Sequence, residues 1–431
     1  MKKWKAIVAG AILLSIVIAG VIVLANEVLD RAKEAYIQSL PRATPVPSSD
    51  RPDIIRLTWS GNPRVSQAVQ WRTGPDALAG VVQCRPKDQT EGAAMEVIAE
   101  KVVVEDPLIE NDPVNLHFSA VLTDLTPGVL YTYRVGDPEK DIWSEWYEFT
   151  TAPSGEPSFS FIYLGDAQTQ FEPWGRLLRH AMEHRPEAAF VVIAGDLVNR
   201  GNDRDDWDDF LNAARGVFDR VPLVPAIGNH ECSKGADPRL YLDLLTLPEN
   251  GPETIPPERA YSLRYSNALF VVLDSNLPPQ DQRAWLEREL SETDAAWKFV
   301  IFHHPVYSSK PNRDNPEIRA HWSDLFDKYH VDMALQGHDH AYLRTYPMRD
   351  GQVVESPADG TIYVISVSGS KFYEFDPREI AAVAFGQTST YQIIDLDSSD
   401  PATLVLTYRA YDMNGDLRDE VVIRKPAEKQ S

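Results

Sequence analysis

Five short, largely apolar runs pattern the middle of this chain, and each gives way abruptly to polar residues. Phe190 to Ala194 passes into Gly195-Asp196, Phe161 to Leu164 into Gly165-Asp166-Ala167-Gln168, and Leu223 to Ile227 into Gly228-Asn229-His230-Glu231. Phe299 to Phe302 runs into His303-His304-Pro305, and Val331 to Gln336 into Gly337-His338-Asp339-His340. Runs without polar alternation predict strands buried on both faces, and a following glycine permits a sharp turn. The pattern thus predicts strand ends that carry carboxylate, amide and imidazole groups to one sheet edge, with Asp196 at its centre.

Between these runs lie stretches of helical spacing: Trp174 to His184, Trp207 to Phe218, Arg239 to Leu245, Asp281 to Leu290 and Glu317 to Tyr329. Alternating strands and helices predict a sheet with helices on its faces, which binds ligands where its strands end. Strand patterns return at Thr361 to Val367, Tyr391 to Leu396, Ala402 to Tyr408 and Glu420 to Arg424. They are expected to form a second, more antiparallel sheet that covers the first, giving an α/β domain over 158–425 and a short tail over 426–431. Ahead of it, residues 51–152 hold about seven short alternating runs punctuated by turn signals such as Ser60-Gly61-Asn62-Pro63, which predict an all-β sandwich. Ala152-Pro153-Ser154-Gly155-Glu156-Pro157 separates the two domains.

The N-terminus has a different texture. From Ala6 to Ala25 run 20 residues without a charge, enough at about 1.5 Å per residue to span a hydrocarbon core of roughly 30 Å. Lys2, Lys3 and Lys5 on the short leading side predict a cytoplasmic start and an outward-facing remainder. Residues 1–25 therefore read as a membrane anchor, with a cleaved signal peptide, and so a secreted protein, as the alternative. The proline-rich stretch that closes 26–50 reads as a stalk or linker.

Composition narrows the function. With 64 acidic against 42 basic residues the net charge is −22, which argues against nucleic-acid backbones as partners. The two cysteines, Cys84 and Cys232, fall in different domains, so no disulfide framework is needed. Mixed Asp, Asn and His groups suit first-row metals such as iron, zinc or manganese. Two ions roughly 3.5 to 4 Å apart can share a hydroxide nucleophile and clamp phosphoryl oxygens. Asp196 is then the bridging carboxylate, and His230 the group that protonates a leaving oxygen.

The series Gly165-Asp166, Gly195-Asp196, Gly228-Asn229-His230-Glu231, Val300-x-x-His303 and Gly337-His338-Asp339-His340 resembles the motifs of the calcineurin-like metallophosphoesterases. The preceding sandwich, with a fibronectin type III-like segment at Leu125 to Val135, together with Phe270 to Ser275 and His340-Ala341-Tyr342-Leu343-Arg344, resembles the purple acid phosphatase-like branch. That resemblance implies a two-sheet αββα fold. It also implies a first metal held by Asp166, Asp196 and His340 and a second held by Asp196, Asn229, His303 and His338, with His230 on the phosphate. The chain departs from the branch at two positions. Asn199 stands where the purple enzymes place an iron-binding tyrosine, and Gln168 where other branches place a histidine, so Gln168, Asn199 or water is expected to complete the first site. His304, Arg313 and Arg344 are the remaining expected substrate contacts.

Plainer readings compete for other residues. His180 and His184 suit the C-terminal turn of a helix, and Asp203, Asp205, Asp206, Asp208 and Asp209 suit a helix start. Trp59, Trp71, Trp143 and Trp146 suit packing. The expected activity is hydrolysis of a phosphorylated small molecule, monoesters foremost. The alternatives are a phosphodiester or nucleotide substrate on the same site, or a surface-binding or adhesion protein whose catalysis is impaired. Oligomeric state is not legible.

Overall fold

A computed structural model describes residues 39–89, 94–232, 237–310, 313–376 and 378–427. The segment read as an anchor or signal, 1–25, lies outside the described residues, as do the beginning of the expected linker and most of the tail. Among the described residues no helix is long and apolar enough to cross a membrane.

The chain divides into two compact units, one comprising residues up to Pro47 with Glu105–Val114, the other Ser48–Val104 with the chain from Asn115 onward. In the first, the expected linker is tied down. Arg42 bridges to Ile109 in parallel and its guanidinium meets Asp106 at 2.9 Å, while Thr44 exchanges hydrogen bonds with the Asn111 side chain at 2.9 and 3.0 Å.

In the second unit the β-sandwich and the α/β domain are fused. One sandwich sheet includes Asp53–Thr58, Gln67–Thr73 and Val114–Leu122; the other is built on Val81–Pro86 and Leu130–Asp137. Trp71 stacks on Phe118 and Tyr131 on Phe149 within their shared core. Contacts from the sandwich strands to the α/β domain are made by polar groups taken out of water and paired across the boundary. The Tyr133 hydroxyl donates to the Asp219 carbonyl at 2.7 Å, Leu57 N–H to the Phe218 carbonyl at 2.8 Å, and Arg56 Nε to the Leu244 carbonyl at 2.8 Å. Arg72 pairs with Asp208 at 2.9 Å. Trp59 leaves the sandwich core altogether and packs edge-on against Phe190.

Two sheets make the α/β domain, and the five apolar runs are divided between them. Phe159–Leu164, Val191–Ile193 and Leu223–Pro225 are parallel neighbours in a six-stranded sheet. Trp297–Ile301 and Met333–Gln336 are parallel neighbours in a seven-stranded one. Of the late strands, Thr390–Asp400 pairs antiparallel with Phe159–Leu164, and Thr403–Asp412 and Leu417–Pro426 extend that same sheet. Ile362–Ile365 joins the seven-stranded sheet beside Met333–Gln336. The expectation that the late strands form a covering sheet of their own is therefore corrected: they complete both sheets, because each motif strand has an edge that needs a partner for its backbone groups.

The sheets meet face to face through Phe161, whose ring lies edge-on to Phe270 and Phe299 at 5.2 Å. The buried Tyr163 hydroxyl crosses the same interface, accepting from Gln336 N–H at 2.9 Å and donating to the Gln336 carbonyl. Helices cover the outer faces. Phe171–His184 and Arg204–Ala213 lie on one, and Pro279–Glu292 with the segment from Pro316 to Tyr329 on the other. The second of these starts earlier than its apolar residues predict because Asp203 caps it, accepting from Asp205 N–H at 3.0 Å. Glu317 to Tyr329 is not one helix but three short pieces, the middle one, Arg319–Ser323, widened to π geometry.

Candidate metal centre

At the ends of the apolar runs the backbone leaves the sheets through left-handed conformations that ordinary side chains rarely adopt. Asp166 has φ +25°, Asp196 +51°, His338 +76° and His340 +49°. Such conformations cost about 1–3 kcal/mol each and persist only where the surroundings over-determine them. Here the loops interlock. A side chain at Gly228 would collide with the Asp196 carboxylate, and one at Gly337 with that of Asp166. Asp196 Oδ1 accepts from His230 N–H at 2.9 Å, and Asp166 accepts from His338 N–H at 2.8 Å.

Ligand-type atoms gather in two groups, each with all its atoms within 4.8 Å of one another: Asp166, Asp196 and His340, and Asp196, His303 and His338. Asp196 belongs to both. Asn229 adds its side-chain oxygen to the second group, 3.1 Å from His303 Nε2 and 2.9 Å from His338 Nδ1. Two of the imidazoles are oriented from behind. His303 Nδ1 donates to the Ala194 carbonyl at 2.9 Å and His340 Nδ1 to the Lys371 carbonyl at 2.8 Å, which leaves both Nε2 atoms for the centre. This donor set fits two metal ions sharing one carboxylate. Gln168 adds a buried amide whose two polar atoms have no hydrogen-bond partner among the described residues. Its backbone N–H is held by the Asp196 carbonyl at 3.1 Å. The main-chain carbonyl of Asn199 accepts from His230 Nδ1 at 2.5 Å.

The cluster polarises its members. Burial pushes Asp166 up to about 7 against the opposing pull of His303. Burial would raise Asp196 as well, but His303 at 3.1 Å, and then His230, outweigh it and hold the carboxylate well below its ordinary range. His303 in turn is driven up to about 10 by Asp196 and Asp166 in spite of its burial. Burial, reinforced by the charge on His303, pushes His304 down to about 3 and His338 lower still; burial also lowers His340, to about 4.

Of the remaining expected contacts, His304 lies at the centre, its ring 4.6 Å from that of His338 and its Nδ1 2.9 Å from the Ser275 hydroxyl. Arg313 sits beside it, with Nε 3.2 Å from Asp339 and one amino group 3.4 Å from the His338 carbonyl. Arg344, expected as a substrate contact, is engaged elsewhere in the fold. It is buried in a two-pronged pair with Asp419 at 2.6 and 2.9 Å, which also accepts from the Tyr342 hydroxyl at 2.6 Å. The strand Tyr342–Thr345 turns that side chain into the fold, and its guanidinium is spent there.

Two motif residues given no role by the sequence prove to be braces. Glu231, fully buried, accepts from Asp196 N–H at 3.0 Å, Val198 N–H at 3.1 Å and Gly228 N–H at 2.7 Å, tying two ligand loops together. Asp339 accepts from the Ser308 hydroxyl at 2.5 Å and Ser309 N–H at 2.6 Å, tying a third loop to the histidines on either side of it. Polar residues inside a ligand motif are the only signal that pointed to them.

Comparison with known proteins agrees with this geometry. Residues 159–342 match the calcineurin-like phosphoesterase family, and residues 52–151 the purple acid phosphatase N-terminal domain. An uncharacterized protein of Mycobacterium tuberculosis is 28% identical over 342 residues, covering 68% of this chain and 62% of its own. The Fe(3+)-Zn(2+) purple acid phosphatase 12 of Arabidopsis thaliana is 27% identical over 247 residues, 52% of this chain and 51% of its own. The solved structure of the purple acid phosphatase PPD1 from yellow lupin (Lupinus luteus) seeds superposes with a TM-score of 0.73 at 20% identity, covering 87% of this chain and 74% of that one. The chain spans between about half and two-thirds of the length of the curated relatives it matches.

Proposed function

Because this chain is a purple acid phosphatase-like metallophosphoesterase, we propose that it hydrolyses phosphoric esters, monoesters foremost, at the centre around Asp196. The observation that carries this reading is the sharing of Asp196 between the two ligand groups. Asp166 and His340 would hold one ion, and Asn229, His303 and His338 the other, with Gln168 completing the first shell. Bound there, two cations supply neutralisation of phosphoryl charge and a water acidic enough to act as a nucleophile near neutral pH.

The protein's own groups do the rest. His230 Nδ1 is committed as a donor to the Asn199 carbonyl, so Nε2, 3.9 Å from Asp196 Oδ2, is the nitrogen that gains and loses a proton on the side of the centre. The protonated ring delivers that proton to the departing oxygen as the P–O bond breaks, and the phosphorus gains its new oxygen from water. His304, kept neutral, faces the same centre. Its Nδ1 and N–H both engage the Ser275 hydroxyl, so the ring is fixed as a contact for phosphoryl oxygens. The absence of a tyrosine at position 199 supports a colourless metal pair. The uncharged N-terminal run behind three lysines supports an extracytoplasmic placement, which fractionation of cells making the full chain tests.

Elemental analysis of the purified protein, with monoester and diester substrates, tests the activity. Asp196→Ala is expected to lose metal and turnover together. His230→Ala is expected to keep most of its metal while kcat falls by about 10²–10⁴-fold. Full metal and full rate in Asp196→Ala would overturn the reading.

A further inference from the structure

We propose that Arg313, Tyr373 and Lys371 form a second anion subsite beside the metal centre, so that the preferred substrates carry another phosphoryl or carboxylate group next to the leaving oxygen. The inference rests on the hydrolytic reading above and names its substrate class.

The segment from Lys371 to Tyr373 is laid directly on a ligand residue. The Lys371 carbonyl accepts from His340 Nδ1, Tyr373 N–H donates to the His340 carbonyl at 3.2 Å, and the Tyr373 ring stands 4.5 Å from the His340 imidazole. Two cations then share that one aromatic ring. The Arg313 guanidinium carbon is 5.2 Å from its centre and the Lys371 ammonium 5.4 Å. Arg313 is anchored on one edge by Asp339 and the His338 carbonyl, and its side chain is still 34% exposed. The Lys371 ammonium has no carboxylate or carbonyl partner among the described residues, whereas Lys87, Lys328 and Lys425 each reach one within 2.6–2.8 Å.

In a chain with 64 acidic residues to 42 basic ones, an ammonium that shares a ring with a guanidinium and has no carboxylate partner among the described residues is open to an anionic ligand. A metal pair already answers the charge of the phosphoryl group being transferred. An aryl or alkyl leaving group gives the extra cations nothing to bind, whereas an adjacent phosphoryl or carboxylate group bridges them and relieves their mutual repulsion. In the reaction, water oxygen bonds to phosphorus, the bond to the leaving oxygen breaks, and that oxygen takes the His230 proton while the second anionic group stays on Arg313 and Lys371.

The test uses the full chain loaded with manganese(II). Pyrophosphate, phosphoglycolate and phenyl phosphate are compared as substrates, and methylenediphosphonate against phenylphosphonate as ligands by calorimetry. Lys371→Met, which keeps the aliphatic stem against Tyr373, is expected to lower kcat/KM for the doubly charged substrates by about 10-fold, chiefly through KM, and to weaken methylenediphosphonate to a similar degree. Phenyl phosphate and phenylphosphonate are expected to change by less than about 3-fold, and Lys371→Arg to restore most of the loss. Pyrophosphate and phosphoglycolate separate a phosphoryl from a carboxylate partner. An equal effect on singly and doubly charged ligands, or unchanged diphosphonate affinity, would overturn the subsite. Diphosphonate binding that depends on Lys371, without hydrolysis of any ester, would leave the subsite standing and overturn the hydrolytic reading instead.

Discussion

Replacing Glu231 with alanine isolates what holds the ligand loops in place. Its carboxyl accepts three backbone N–H groups, from Asp196, Val198 and Gly228, and is fully buried. Burial, and then the charge of Asp196, push it up to about 8, so its worth lies in the oxygens it offers and not in a net charge. Alanine leaves three donors without acceptors in a place water does not reach. At about 1–3 kcal/mol for each orphaned donor, the loss is about 3 kcal/mol even at the low end. With a denaturant slope of about 3 kcal/mol per M, the urea midpoint drops by about 1 M. Metal content should fall in parallel, because the Gly195-Asp196 turn and the Gly228-Asn229 turn lose their common tether. Glu231→Gln keeps one oxygen for two of the donors and is expected to recover more than half of the loss. A Glu231→Ala protein with a midpoint within about 0.3 M of the parent and a full metal complement would refute the bracing argument.

Three further outcomes follow from the same geometry. Burial raises Glu258 to about 7 while it accepts from Leu247 N–H at 2.7 Å; the folded state therefore keeps a proton that the unfolded chain has released, and stability falls as pH rises through this window. Glu258→Gln should melt higher than the parent at pH 8 and alike at pH 4, and parallel melting curves across that range would sink the claim. Arg344→Met should cost about 3–5 kcal/mol by leaving Asp419 buried without its cation, and KM for any substrate should hold; a KM change without a stability loss would restore Arg344 as a contact. Asp166 and His303 are both held above their ordinary ranges and must give up protons to bind metal, so loading at pH 6 should acidify an unbuffered solution and metal affinity should climb with pH. Metal uptake without acidification would contradict it.

The motif strands were legible because burial on both faces forces an unbroken apolar run, and because Gly195, Gly228 and Gly337 mark where each run must turn. The resemblance then named the candidate ligands after each run, and the two groups bring them together. What the sequence hid is pairing over long separations. Nothing local to Phe159–Leu164 announces that Thr390–Asp400 lies beside it, and the same strand pattern suits either sheet. Arg344 was ambiguous for the same reason, its partner Asp419 lying 75 residues further on. Glu231 and Asp339 sat inside recognised motifs, but a carboxylate that braces reads no differently from one that binds until the donors around it are seen. Lys371 had no signal of its own, because its importance comes from sharing the Tyr373 ring with Arg313.

One contact deep between the sheets bears on how such a protein can diversify. Tyr163, three residues before Asp166, both gives to and takes from the main chain of Gln336, two residues before His338. That phenol works as a gauge block: it sets how far the strands bearing the opposing ligands stand apart, from beneath, in the rigid interior. The outer segment around Pro248–Pro257 is then free to be exchanged or lengthened, because recalibrating it leaves the span between the two cations untouched.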